Sequence, residues 1–251
     1  MSSNPCFRNI LGVRFFTGPA REAVQIALTG GLVVVPSAPV LLAMEEDPYT
    51  AEALLNSDLA ITDSGLMVLL WRFLKRARLE RVSGLEYLKL LLSEPSLREP
   101  GAVFWVMPSI ATRDKTLAWL GSQGFPTTTE DCYIAPVYGA GRVSDPELLA
   151  RINERRPAHI FMAIGGGVQE KLAYYLKEGA CYRPGLHCTG AAIGFLTGDQ
   201  VRIPTWADHF YLGWLMRCLH APERFVPRYW KARKLVWLLL KYRDRAPEVR
   251  K

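Results

Sequence analysis

The sequence predicts an α/β protein: a Rossmann-like, largely parallel sheet with helices on both faces, followed by a basic helical C-terminal appendage. Three observations predict it. Six short apolar runs alternate with segments of helical period. Those runs are apolar nearly throughout, which suits strands covered on both faces. Beyond about Pro204 the strand-like runs stop and only helical patterns remain. A chain of 251 residues that is 49% apolar can bury a large core. The expected division is an α/β body over residues 1–203 and a helical basic appendage over 204–251.

The strands are expected in "LVVVPS", "LAITD", "AVFWVM", "CYIAPV", "HIFMAIG" and "LHCTGAAI". Between them "PAREAVQIALTG", "DPYTAEALLNS", "GLMVLLWRFLKR", "LEYLKLLLS", "TRDKTLAWLGSQG", "DPELLARINERR" and "VQEKLAYYLKEG" read as helices. Asp47 and either Ser144 or Asp145 stand where N-caps belong, and Pro48 and Pro146 suit a first helical turn. Gly124 and Gly179 stand where helices should stop. "TWADHFYLGWLMRCLH" and "PERFVPRYWKARKLVWLLLKYR" read as two further helices, parted near Pro222. Alternating strands and helices argue for a parallel sheet.

Composition excludes several classes. Charged residues are 22%, too few and too mixed for global disorder. No apolar run approaches the roughly 18 residues that span a bilayer. "MSSNPCFRNI" lacks the basic and apolar regions of a secretion signal, so none is expected. The five cysteines are an odd number without a CxxC, which favours reduced thiols in the cytoplasm. His159, His187, His209 and His220 have no metal-ligand spacing, and His159 and His187 read as core residues of apolar strands. No DxD, GxSxG or Walker loop occurs, and no segment repeats at a fixed period.

The net charge of +7 is unevenly placed: from Arg202 onward there are twelve Lys and Arg against four acids, while residues 1–201 are nearly balanced. Such a tail seeks phosphate, in nucleic acid, anionic lipid or a phosphorylated substrate. No nucleic-acid motif accompanies it and the body is neutral, so no nucleic-acid partner is expected.

In doubly wound sheets ligands bind outside the carboxyl ends of the strands. Three polar clusters fall there. "AITDSG" places Asp63 after a strand and before a helix, where it or Ser64 could cap that helix or Asp63 could take a proton from an acceptor hydroxyl. "AIGGGVQEK" leaves the amides of Gly165, Gly166 and Gly167 at a helix N-terminus, which suits a diphosphate, with Gln169 and Glu170 in the first turn. "ERVSG" carries Arg81, which could clamp a phosphate or form a surface ion pair. "YGAGR", Tyr138 to Arg142, is glycine-rich but reads as a plain loop.

In order, "TDSG", "RVSG", "GGGVQE", "GDQVRIP", "GWLMR", "APERF" and "PRY" resemble the motif series of the WecG/TagA/CpsF glycosyltransferases, glycosyltransferase family 26, over roughly residues 10–230. The resemblance implies an inverting, metal-independent transfer of a sugar, N-acetylmannosamine in type, from a UDP-sugar donor. The acceptor it implies is an undecaprenyl-diphosphate-linked sugar at the inner face of the bacterial plasma membrane, with the protein cytoplasmic and peripheral there. It implies no cofactor. Asp63 matches the general base; Ser37, Thr62, Arg81, Gly165, Gly166, Gly167, Gln169 and Arg202 fall at substrate-binding positions. Arg217, Arg224 and Arg228 match basic positions of a C-terminal region that meets the lipid diphosphate, and Lys231 joins them on one face if the helix is continuous. Trp230 and Trp237 suit the headgroup level, and "LVWLLL" offers an apolar stripe to an anionic membrane surface. A basic helix packed on the body, or a contact between copies in a homo-oligomer, is the plainer use of the same residues.

The chain departs from that pattern. Val35 and Ser37 stand where the family has Thr-x-Asn, Ser64 splits Asp-Gly, Gly167 replaces a proline, Gly213 replaces the glutamate of Glu-Trp, and "VMPSIA" replaces a glycine-bearing loop. Lost hydrogen-bonding side chains change which sugar hydroxyls a site accepts. The alternative expectation is a non-catalytic, membrane-docked relative in a polysaccharide assembly complex.

Overall fold

A computed structural model describes residues 7–76, 79–199 and 222–249, without the side chains of residues 222, 224, 225, 228 and 229. Its strands are β1 (Phe7–Ile10), β2 (Val13–Phe16), β3 (Gly31–Val34), β4 (Leu59–Ala60), β5 (Val103–Met107), β6 (Cys132–Ile134), β7 (His159–Met162) and β8 (Gly185–Cys188). They form one sheet in the order β1-β2-β4-β3-β8-β7-β5-β6. Every pairing is parallel except that of β1 with β2. All six expected strands are present, and the α/β architecture is as the sequence predicts.

The helices that position the site are α1 (Ala20–Ala27), α2 (Ala38–Ala43), α3 (Pro48–Leu55), α4 (Gly65–Lys75), α5 (Gly84–Leu92), α6 (Ile110–Ser122), α7 (Pro146–Arg155), α8 (Val168–Gly179) and α9 (Gly194–Thr197). After the undescribed residues 200–221 follow α10 (Pro222–Ala232) and α11 (Lys234–Tyr242). Asp47 and Asp145 cap α3 and α7 by accepting from Tyr49 N and Leu148 N, with Pro48 and Pro146 in the first turns. Gly124 follows α6 with φ +78°, the left-handed stop that glycine permits. Gly179 ends α8 for a different reason: a Cβ there would meet Leu149 Cδ2 at 2.6 Å.

Strand residues alternate between two cores, as the pleat requires. Leu32, Val34, Phe104, Val106, Ile160, Met162 and Leu186 join the core under α2, α3, α4, α7 and α8. Val33, Leu59, Trp105, Met107 and Phe161 join the opposite one under α1, α5 and α6. Apart from His159 and His187 on β7 and β8, the described strand residues in both cores are apolar, and the loops at the strand ends carry most of the other polar groups.

Three features differ from the sequence reading. The β1–β2 hairpin was not expected. Its turn is Leu11-Gly12, both at positive φ, and Leu11 is buried rather than polar. Its amides are held from outside: Leu11 N donates to Arg243 O at 2.7 Å and Gly12 N to Asp244 O at 3.1 Å. α2 follows "VPS" directly, with Ser37 in the N-cap position and no side-chain cap bond. The last expected helix is two, parted at Arg233, and Leu235, Leu238, Leu239 and Tyr242 of α11 are buried in the core under α2 and α4. The stripe read as membrane-facing in "LVWLLL" is thus largely turned inward, leaving Trp237 and Leu240 outside. No helix among the described residues is long and apolar enough to cross a membrane.

Candidate functional site

The carboxyl ends of β4, β3, β8 and β7 are consecutive along one edge of the sheet. The segments leaving three of them carry expected groups, Asp63 after β4, Ser37 after β3 and Gly165 to Gly167 after β7, and the segment leaving β8 adds Thr189 and Gly190.

Asp63 does cap a helix, but not the one it precedes. Ser64 caps α4, its hydroxyl accepting from Met67 N at 3.3 Å. That releases Asp63, whose Oδ1 accepts from Gly84 N, the first amide of α5, at 3.0 Å. Arg81 grips the same residue twice: its Nε donates to Asp63 O at 2.8 Å and its Nη2 lies 3.7 Å from Oδ1. Both contacts hold Asp63 in place from the segment before α5. Asp63 Oδ2 receives no hydrogen bond among the described residues, and its side chain keeps 31% of its exposure. Thr62 lies behind it, fully buried; its hydroxyl donates to Glu80 O at 2.7 Å and accepts from Val82 N at 3.2 Å. Thr62 thus ties the segment that delivers Arg81 to the strand that delivers Asp63.

The other loops join by contact. A Cβ on Gly84 would sit 3.0 Å from Val35 Cγ1, so Val35 is a packing group beside Asp63. A Cβ on Gly166 would meet Val40 Cγ2 of α2 at 2.9 Å, which brings the glycine turn against the helix that Ser37 begins. Gly165 and Gly167 have nothing within 4 Å of a notional Cβ, so the turn is open on that side. Gly167 takes φ +90°, a conformation that the proline of the family pattern cannot adopt. The amides of Gly165 and Gly166 donate to no group among the described residues. Gly167 N donates to Glu170 Oε2 at 2.6 Å.

Gln169 and Glu170 do not point outward from the first turn of α8. Both are buried. Gln169 Nε2 donates to Glu170 Oε1 at 2.9 Å and to Cys188 O at 3.3 Å, stapling the β7 turn to the end of β8. Burial pushes the Glu170 carboxyl above its ordinary range, against the hydrogen bonds from Gln169 and the turn and the charge of Lys171. Lys171 itself reaches away, to Asp47 Oδ2 and Gly141 O at 2.9 Å each, which makes "YGAGR" a tethered loop. Gln169 Oε1 and Thr189 Oγ1 are buried without a hydrogen-bond partner among the described residues, an uncommon state for polar atoms.

Sequence reading missed Gly84, Thr189 and Gly190 as parts of this mouth. Gly190 has φ +55° and a notional Cβ 3.5 Å from the Gln169 amide, so a glycine two residues after the β8 strand was the available signal. Arg202 and Arg217 lie outside the described residues, as do the side chains of Arg224 and Arg228. The α10 backbone is helical through Lys231, which is exposed. Trp230 is exposed too, with the Arg233 guanidinium 3.9 Å from its ring centroid. A separate cleft of about 520 Å³ lies along β6, lined by Arg113, Tyr133, Pro136, Glu147 and Arg151, at the far end of the sheet from Asp63.

A family model described as "Glycosyl transferase WecG/TagA/CpsF family" matches residues 8–248. No curated protein matches the chain.

Proposed function

Because the chain belongs to the WecG/TagA/CpsF glycosyltransferase family, whose members act in cell-surface polysaccharide synthesis, we propose that it transfers a sugar from a UDP-sugar to a polyprenyl-diphosphate-linked acceptor. The donor sugar is of the N-acetylmannosamine type and the acceptor an undecaprenyl-diphosphate-linked sugar at the inner face of the plasma membrane. The observation that carries this reading is the asymmetry of Asp63: one oxygen is fixed by Gly84 N and Arg81, and the other receives no hydrogen bond among the described residues.

In this mechanism the acceptor hydroxyl gives its proton to Asp63 Oδ2 as its oxygen attacks the anomeric carbon of the donor. The bond from that carbon to the UDP oxygen breaks, UDP leaves with the electron pair, and the configuration inverts. The unoccupied amides of Gly165 and Gly166, at the N-terminus of α8, face the charge that grows on the diphosphate. No metal is invoked. Glu170 lies close behind that turn and holds its shape by accepting from Gly167 N and Gln169 Nε2. Basic residues of the C-terminal region, Arg202, Arg217, Arg224, Arg228 and Lys231, supply the counter-charge for the acceptor's diphosphate. Val35 fills space where the family pattern has a hydroxyl, so the hydroxyl pattern accepted on the donor differs from that of relatives with threonine there.

The test is UDP release across a panel of UDP-sugars with a short-chain polyprenyl-diphosphate-GlcNAc acceptor. Release that needs donor, acceptor and Asp63 together supports the reading. An Asp63→Asn variant that turns over like the parent refutes the base assignment.

A further inference from the structure

We propose that α4 and α11 together form the surface that docks the protein on an anionic lipid bilayer. The helix α4 is apolar on nearly every side: Met67, Val68 and Trp71 face the core, yet Leu66 (37% exposed), Leu69 (48%) and Phe73 (83%) form a second stripe facing outward. An exposed phenylalanine in line with two leucines, on a body whose cores are already filled, is a binding surface rather than a scattered apolar residue. The neighbouring α11 packs on α4 and adds Trp237, 75% exposed, and Leu240.

Charge selects the occupant. Lys75 and Arg76 end α4, and Lys234 and Lys241 flank the exposed face of α11. Lys75 is paired with Asp244 and Lys241 lies 4.0 Å from Glu45, but residues 222–249 hold eight Lys and Arg against three acids. A second copy brought face to face would set this positive rim against its own like. Anionic headgroups complement it, tryptophan favours the headgroup level, and the apolar stripe suits the acyl boundary. The placement also serves the reaction: Leu66 is three residues from Asp63, so docking through α4 would hold the open carboxylate at the depth where a lipid-linked diphosphate sits. The docking element is thereby the catalytic body's own helix, with the basic region beside it.

This inference takes its purpose from the transferase reading but is tested apart from it. Co-sedimentation of the full chain with phosphatidylcholine vesicles, with and without phosphatidylglycerol, is compared for the parent, Phe73→Glu, the milder Leu69→Asn, and a control, Ile110→Glu, on the exposed surface of α6. Binding should need phosphatidylglycerol and weaken with salt. Phe73→Glu should lower partitioning by at least about tenfold and Leu69→Asn by less, while the control stays within about twofold. Parent-like partitioning of both α4 variants overturns the proposal. So does loss of a dimer on Phe73→Glu with vesicle binding unchanged, which would assign the stripe to a second copy. Turnover of a soluble acceptor without vesicle binding sinks this proposal and spares the transferase; vesicle binding through Phe73 without turnover does the reverse.

Discussion

Two carboxylates stand at the same edge of the sheet and are built differently. Asp63, after β4, has one oxygen fixed and one without a hydrogen bond among the described residues. Glu170, after β7, is fully buried with both oxygens engaged, Oε2 by Gly167 N and Oε1 by Gln169 Nε2. Ionisable groups that react need a free lone pair in reach of substrate; groups that shape a turn need the opposite. The difference is what the proposed mechanism uses, with Asp63 as the base and Glu170 as a shaper of the glycine turn, although both lie next to α-helix N-termini and both look equally polar in sequence.

Asp63→Asn breaks the comparison hardest. Asparagine keeps an oxygen for Gly84 N and nearly the same shape, so the fold and UDP affinity should persist. Turnover should fall by about a hundred- to ten-thousand-fold, the usual range for a lost general base. Isothermal titration with UDP beside a turnover assay separates the two effects; equal loss of both would make Asp63 a framework residue like Glu170.

Glu170→Gln should invert that pattern. A glutamine side chain accepts through one oxygen only, so one of the donors at Gly167 N or Gln169 Nε2 is left facing an NH₂ group. A buried unsatisfied donor costs about 1–3 kcal/mol. The urea midpoint should drop and UDP affinity should weaken with the turn, while the turnover of bound donor changes less than for Asp63→Asn. A variant with parent stability and abolished turnover would move Glu170 into the chemistry.

A smaller effect tests the turn's packing. Gly166→Ala places a methyl 2.9 Å from Val40 Cγ2, and valine is stiff at χ1. Stability should fall by about 1–2 kcal/mol. Val40→Ala in the same chain should return part of it, a coupling measurable by a double-mutant cycle in urea.

Sequence reading found the frame and half of the mouth. The six parallel strands were legible because both faces of each are covered and the runs are apolar nearly throughout. The hairpin was not, because its type of turn is usually signalled by Asn-Gly and here Leu11 is held at φ +53° by backbone bonds from residues more than two hundred positions away. Asp63 and the glycine turn were legible as strand-end motifs. Their partners were not: that Ser64 would take the cap of α4 and leave Asp63 to α5 depends on where residues 79–84 return. The outward stripe on α4 was present in "GLMVLLWRFLK" as a helix apolar all round, a pattern that periodicity alone assigns to burial on every side.

Away from the mouth, β7 and β8 carry the sheet's other polar cluster, and it is sealed. Tyr87 Oη lies 2.8 Å from His187 Nδ1, and His187 Nε2 lies 3.1 Å from His159 Nδ1. Gly185 makes room for the pair, since a Cβ there would stand 2.7 Å from His159 Nδ1. Burial lowers the His159 pKa from 6.5 to about 4 and pushes His187 lower as well, helped by its neighbour. Both rings are therefore neutral in the folded chain, while the unfolded chain protonates them near pH 6.5. Below that pH the unfolded state binds the extra protons, so stability falls with falling pH between about 6.5 and 4, by up to about 1.4 kcal/mol per pH unit for each ring; above about 7 the pair contributes no slope. The urea midpoint should thus be flat from pH 7 to 8 and decline toward pH 5. Because Asp63 belongs to a separate cluster, a His159→Phe variant should flatten part of that decline without moving the pH profile of turnover, and a shifted turnover profile would show that the sealed pair and the open carboxylate are one system.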